Sequence, residues 1–227
     1  MTLSSPDRLT RIRLFRDAER LPVDNMAMDE ALYMRSLCPV VRFYGWSCPA
    51  VSLGYFCSWA ESRVRHGELF SYVRRWTGGG TVEHGNSDAT YSISLPADCP
   101  WGRWRAPMLY ERVHLTLAVA LQECGIETDA FGPAGPVRDS ACFQHPVAQD
   151  LVLSGRKVAG AAIRRSVRGV LLQGSIQGIA VPPHLPDVFA RLLAGDVEEW
   201  NPGTDLDDDI ASLVESRYGR VQWTRRK

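Results

Sequence analysis

The chain has 227 residues, 45% of them hydrophobic and 23% charged, and its 26 basic and 26 acidic side chains give a formal net charge of zero. That length and balance suit one domain with a proper core and exclude a disordered or fibrous protein. Zero net charge argues against a nucleic-acid partner, because phosphate neutralisation supplies most of such affinity. No apolar run approaches the length of a membrane span. The first stretch, Met1 to Asp17, is mixed and charged and lacks the apolar centre of a secretory signal. A cytoplasmic protein with no membrane partner is therefore expected, and a monomer, since no long apolar surface stripe stands out.

The first helix is predicted from about Asp24 to Leu37, with Asp24 as cap, Met26, Ala27, Ala31 and Met34 as its apolar stripe, and Pro39 beyond its end. Val40–Tyr44 and Ala50–Leu53 read as strands joined by a short proline-containing connection. A polar helical stretch follows near Ala60–Phe70, then a strand at Tyr72–Trp76, a glycine turn at Gly78–Gly80 and a strand near Ala89–Leu95. A second strong helix runs from about Pro107 to Cys124. Its Leu109, Val113, Leu117, Ala120 and Leu121 recur at helical spacing before Gly125 stops it. Leu151–Leu153, the turn Ser154-Gly155 and Lys157–Arg164 form a hairpin pattern, and Val170–Ile179 is another strand. Helices near Pro186–Leu193 and Asp207–Tyr218 close the chain. Strands and helices mix without regular βαβ alternation, which predicts an α+β fold with a largely antiparallel sheet and packed helices. The expected organisation is one domain over residues 1–227, with a short helical tail from about residue 184.

Three stretches can carry chemistry. In Arg74-Arg75-Trp76-Thr77-Gly78-Gly79-Gly80 the glycines let backbone approach a ligand, and the arginines can pair with a carboxylate or phosphate. The plain alternative is a flexible hairpin with two solvated arginines. Neither nucleotide-binding glycine motif is present. Cysteines stand at 38, 48, 57, 99, 124 and 142. None forms a CxxC pair, so free thiols are expected, most of them small buried hydrophobes. Cys142 differs in following a Gly/Pro-rich loop and preceding a hairpin, where a reactive group can meet substrate. Lys157 lies in Gly155-Arg156-Lys157-Val158-Ala159-Gly160-Ala161-Ala162, a strand of small residues beside which a lysine can stabilise a thiolate or oxyanion. An ordinary buried thiol and an exposed strand lysine are the plain alternatives. His84 and His145 are candidate bases or substrate contacts.

Taken in order, Asn25-Met26-Ala27-Met28-Asp29-Glu30-Ala31-Leu32, Arg42-Phe43-Tyr44-Gly45-Trp46, Ser52-Leu53-Gly54-Tyr55-Phe56, Arg74-Arg75-Trp76-Thr77-Gly78-Gly79, His84 and Gly155-Arg156-Lys157-Val158-Ala159-Gly160 resemble the biotin/lipoate protein ligase superfamily, from about Asn25 to Ile176. The resemblance implies the catalytic-domain fold shared with class II aminoacyl-tRNA synthetases and biotin ligases. Ser140-Ala141-Cys142-Phe143 with Asp150-Leu151-Val152 and the glycine–lysine hairpin are most similar to the octanoyltransferases. That resemblance implies Cys142 as nucleophile and Lys157 as its partner. It also implies Arg75, Thr77, Gly78, Gly79 and Gly80 at the acyl site, His84 near its mouth, and Gly160, Ala161 and Ala162 keeping the acyl slot open. The implied donor is acyl carrier protein. The implied acceptor is a lysine of the lipoyl domains of 2-oxoacid dehydrogenases or of the glycine cleavage H protein. No cofactor or metal is implied; ATP and magnesium enter only for the related lipoate–protein ligases. Gly80 and the segment Glu83-His84-Gly85-Asn86-Ser87-Asp88 are closer to those ligases, Cys57 replaces a usual glutamine, and Gln173-Gly174 lacks an intervening histidine. A non-catalytic relative that binds lipoyl domains is a further alternative.

Overall fold

The computed structural model describes residues 8–85, 88–132 and 147–226. Its strands in the first half are β1 (Leu9–Arg16), β2 (Val40–Tyr44), β3 (Ala50–Leu53), β4 (Ser71–Arg74), β5 (Val82–His84) and β6 (Ala89–Pro96). Those in the second half are β7 (Asp129–Ala130), β8 (Leu151–Leu153), β9 (Arg156–Ser166), β10 (Gly169–Ile176) and β11 (Ala194–Glu199). The helices are α1 (Pro22–Arg35), α2 (Trp59–His66), α3 (Ala106–Glu123), α4 (Leu185–Leu193), α5 (Asp207–Leu213) and α6 (Val221–Thr224), with one π turn at Val214–Tyr218.

Among the described residues eight strands form one sheet in the order β11-β1-β2-β6-β10-β9-β8-β7, and β4-β3-β5 form a second. In the large sheet β1 pairs in parallel with β11 and β2, and every other neighbour is antiparallel. This is the largely antiparallel α+β arrangement that the pattern predicts, with a parallel margin. Strand β10 runs through its centre with all eight residues buried.

One face of the large sheet carries α3 and α4. The predicted stripe Leu109, Val113, Leu117, Ala120 and Leu121 is fully buried there against Tyr91, Ile93, Leu172 and Ile176. Each leucine or valine of the stripe contributes about 1.5–3 kcal/mol through burial. Alternation along β6 turns Thr90, Ser92 and Ser94 to the opposite face, where α1 lies.

That second interface is polar. Asn25 and Asp29 stand one turn apart on α1. Asp29 accepts from Arg42 Nη1 at 2.6 Å, Ser92 Oγ at 2.7 Å, Tyr44 Oη at 2.8 Å and Gln173 Nε2 at 2.7 Å. Arg42 Nη2 also donates to Asn25 Oδ1 at 2.7 Å. A buried carboxylate is tolerated because its lone pairs are met this fully.

Several expectations are corrected. Helix α1 begins at Pro22 after Leu21, and Asp24 sits in the first turn instead of capping. Proline at the first helical position is already set for the helix, and Asp24 there still complements the helix dipole. Met34 lies outside the buried stripe, at 37% exposed. Strands β2 and β3, adjacent in sequence, belong to different sheets. Helix α2 stops at His66, where Gly67 takes φ +80°, and β10 stops at Ile176, shortly before Gly178 at φ +70°. Strands β1, β5 and β11 lie where no strand is predicted. The Ser154-Gly155 turn, with φ of 50° and 76°, has the two positive angles of a type I′ hairpin. Beyond residue 184, α4 packs on α3 and β1, and β11 extends the large sheet.

Candidate active site

Arg75 braces the glycine turn itself, and Arg74 braces the backbone that packs beside it. Arg74 is fully buried, and its guanidinium donates to the carbonyls of Gly54 (2.9 Å), Cys57 (2.8 Å), Trp223 (3.2 Å) and Thr224 (2.9 Å). Arg75 is 6% exposed and donates to the carbonyls of Ser52 (2.9 Å), Gly78 (3.0 Å) and Gly80 (2.9 Å). The solvated-arginine alternative does not hold: both side chains are buried braces for backbone. Gly54 explains itself by the same packing, since a Cβ there would stand 2.0 Å from the Gly79 carbonyl oxygen. Gly79 itself takes φ +79°, open to glycine at no cost. Thr77, fully buried, donates its hydroxyl to Gln173 Oε1 at 2.7 Å and so ties the turn to the Asp29 network.

From Arg75 a second chain runs to His84. Arg75 Nη1 donates to Ser52 Oγ at 2.6 Å, and Ser52 Oγ lies 2.7 Å from His84 Nε2. The imidazole is 4% exposed and stacks on Trp46 at 4.0 Å and 15°. Burial, reinforced by the positive charge of Arg75, holds His84 well below the ordinary histidine value. The ring is therefore neutral at physiological pH.

Lys157 enters from the hairpin. Its side chain is 4% exposed, and Nζ lies 2.8 Å from Asp150 Oδ2, whose side chain is fully buried. Asp150 also accepts from the Val147 amide at 2.6 Å and from the Tyr110 hydroxyl. Tyr110 Oη accepts in turn from the Ala161 amide at 3.1 Å. Residue 161 lies past the end of β8, which pairs only as far as Ala159, so the tyrosine satisfies an amide the sheet leaves over. Burial, then the Asp150 charge, pushes the Tyr110 hydroxyl far above its usual range, keeping it a donor. Lys157 folds over Gly160, where a Cβ would stand 2.5 Å from Cε and 2.5 Å from Nζ. Glycine at 160 is thus a condition for the lysine's position.

Arg75, His84, Lys157, Gly160, Ala161 and Ala162 line one narrow cleft with about 420 Å³ of empty space including its mouth. Met26, Trp46, Val82, Gln173 and Ser175 are among its other walls. Lys157 and His84 also border the wider depression outside it, beside Arg156 and Gln177. Thr77 and Gly78–Gly80 stand outside the lining and act on it through Gln173 and Arg75. Cys142 and His145 lie outside the described residues. The other five cysteines form no disulfide with one another; burial pushes the thiols of Cys99 and Cys124 up, away from the thiolate a nucleophile needs.

Ser52 and Asp150 fall within stretches that carry the resemblance but are given no role there, and Tyr110 is not singled out at all. Each touches its partner only through the fold: Ser52 is 32 positions from His84 and Tyr110 is 40 from Asp150. Asp150 precedes Lys157 by half a hairpin, and a single carboxylate there does not by itself announce an ion pair.

A model described as the lipoyl protein ligase A/B catalytic domain matches residues 21–199, and the chain belongs to that family. It is 36% identical over 183 residues to the octanoyltransferase LipM of Symbiobacterium thermophilum, covering 74% of this chain and 65% of that protein. To the octanoyltransferase LipM of Bacillus subtilis it is 34% identical over 172 residues, covering 68% of this chain and 61% of the relative. The chain thus spans less than two thirds of these relatives' length. Its fold is that of lipoate-protein ligase A bound with ATP, at a TM-score of 0.73 and 18% identity over 96% of this chain and 98% of the other. Protein Ta0514 of T. acidophilum with bound lipoic acid gives 0.73 and 18% over 96% and 99%. Among the described residues no helix is long and apolar enough to cross a membrane.

Proposed function

We propose that this chain is a protein acyltransferase of lipoyl assembly, moving an octanoyl group from acyl carrier protein to a lysine of a lipoyl domain in the cytoplasm. The observation that carries this reading is the buried Lys157–Asp150 pair, whose lysine lines a narrow cleft. Membership of the family and the similarity to octanoyltransferases support it.

In this reading the alkyl chain occupies the cleft between Met26, Val82, Ala161 and Ala162. The Cys142 thiolate attacks the thioester carbonyl, and the Lys157 ammonium lies beside the negative charge that forms on its oxygen. Collapse expels the carrier thiol, which takes a proton, and leaves an acyl-Cys142 thioester. The acceptor lysine amine then attacks that thioester, an amide forms, and Cys142 is released as the thiol. The exchange is ping-pong and needs neither ATP nor a metal.

The test is to incubate the protein with octanoyl-acyl carrier protein without ATP and weigh it intact. The expected result is a gain of one octanoyl mass, released by hydroxylamine and lost in Cys142→Ser. No adduct, together with ATP-dependent activation of lipoate, would instead establish a ligase.

A further inference from the structure

The register of the large sheet sets a row of side chains across four strands. Tyr44 on β2 pairs with Thr90 on β6, Thr90 with Ser175 on β10, and Ser175 with Gly160 on β9. Neighbouring strands lie about 4.8 Å apart, so Ser175 stands one strand from each flank. On one flank Trp46 Nε1 donates to Thr90 Oγ1 at 2.8 Å and carries the stacked His84 ring. On the other, Lys157 lies over Gly160. Ser175 thus lies between the strand position that carries Trp46 and His84 and the one over which Lys157 folds.

Ser175 is 4% exposed and lines the cleft, and its hydroxyl has no hydrogen-bond partner among the described residues. His84, also in the lining, has its Nδ1 in the same condition. Buried polar atoms are seldom left unmet, so two in one cleft call for a ligand atom that meets them.

The kind of atom follows from the protons. Arginine only donates, so Arg75 Nη1 takes one lone pair of Ser52 Oγ, and the Ser52 hydroxyl is free to give its hydrogen to His84 Nε2. In that arrangement the ring proton of the neutral imidazole is on Nδ1. The cleft then offers two neutral donors, His84 Nδ1–H and Ser175 O–H, beside the Lys157 ammonium. An alkyl chain gives them nothing to bind, and the one acceptor at the reacting end of an acyl group is its carbonyl oxygen.

We propose that Ser175 binds the acyl carbonyl oxygen, donating its hydroxyl to it in the cleft, with His84 Nδ1–H as the second neutral donor. This rests on the reading of the cleft as an acyl site. Ser175 is then a catalytic residue, because the oxygen it holds is the one that gains charge when the thioester is attacked.

The experiment compares two unreactive ligands on the full chain by calorimetry: the amide analogue of octanoyl-pantetheine, and S-octyl-pantetheine, a thioether without the carbonyl. The protein as it stands should prefer the amide. Ser175→Ala should weaken the amide about fivefold to tenfold, the usual worth of one neutral hydrogen bond, and leave the thioether unchanged. Ser175→Thr, which keeps the hydroxyl, should retain the preference. Loss of an unmet hydroxyl should leave the melting midpoint of Ser175→Ala unchanged or higher. Nitrogen-15 spectra of the histidine rings should show His84 protonated on Nδ1, and Ser52→Ala should abolish that fixed tautomer. Equal weakening of both ligands in Ser175→Ala, or an undiminished preference for the amide, overturns the proposal. Wild-type protein that binds both ligands alike overturns it too while leaving the acyl cleft in place. Protein that binds neither ligand removes the acyl reading, and the proposal with it.

Discussion

Replacing Asp150 by Asn keeps the shape of the side chain but removes the charge facing Lys157. Both side chains are almost wholly buried, at 4% and 0% exposed, so solvent screens the pair very little. Breaking a buried ion pair by removing one partner costs about 3–5 kcal/mol, because the other charge stays desolvated. In a chain of this size each kcal/mol moves the melting midpoint by about 2–4 °C, so the expected drop is roughly 6–20 °C. Denaturant titrations of wild type, Asp150→Asn, Lys157→Met and the double variant form a cycle. The double variant should cost at least about 2 kcal/mol less than the sum of the singles, since no lone charge is left. The denaturant slope should stay constant across the four proteins. A loss below about 1 kcal/mol in Asp150→Asn, or a strictly additive cycle, would refute the account of the pair.

Gly54→Ala places a Cβ 2.0 Å from the Gly79 oxygen and 2.7 Å from its carbonyl carbon, both backbone atoms that no rotamer change can move. The expected cost is about 3 kcal/mol, at the upper end of overpacking, read as a lower melting midpoint; an unchanged midpoint would show that the turn is not packed as described. Stability should also fall in mild acid. Burial, the leading cause, holds His114 at about 4 and His84 well below the ordinary value. Their folded values are depressed, so the unfolded chain binds the extra protons; stability is full above about pH 6.5 and declines as pH falls toward 4. For His114 the span from 6.5 to about 4 corresponds to on the order of 3 kcal/mol. An unfolding series from pH 7 to about 4 should show this slope, and His114→Phe should flatten it by that amount; an unchanged slope in the variant speaks against the assignment.

The elements that sequence makes legible are those whose pattern is local. The stripe on α3 and the Ser154-Gly155 turn need no knowledge of partners, and both stand as predicted. Strand β11, Ala-Gly-Asp-Val-Glu-Glu, opposes its own propensity and is extended because β1 lies beside it, with Arg11 and Arg13 facing Glu198 at 2.8 and 3.1 Å. Strand β1 carries charged residues between apolar ones and is masked by the polar look of the N-terminal stretch. The pairing of β2 with β6 instead of β3 is a matter of topology, on which periodicity is silent. At the site, the small-residue strand draws attention to Lys157, which the structure places in the wall of the cleft. Asp150 escapes because its meaning is a distance, and so does Ser52, whose hydroxyl acts only once β3 and β5 are side by side.

The long reach of Arg74 has a consequence for how the molecule is made. Its guanidinium joins carbonyls at residues 54 and 57 to carbonyls at 223 and 224, about 150 positions beyond Arg74 itself. During synthesis the glycine turn and the strands around it leave the ribosome long before those last partners exist. Until they arrive, a cation that the finished fold buries lacks its partners at 223 and 224 and must stay hydrated. The backbone around Gly54 and Cys57 is therefore tied to the end of the fold only when residues 223 and 224 dock.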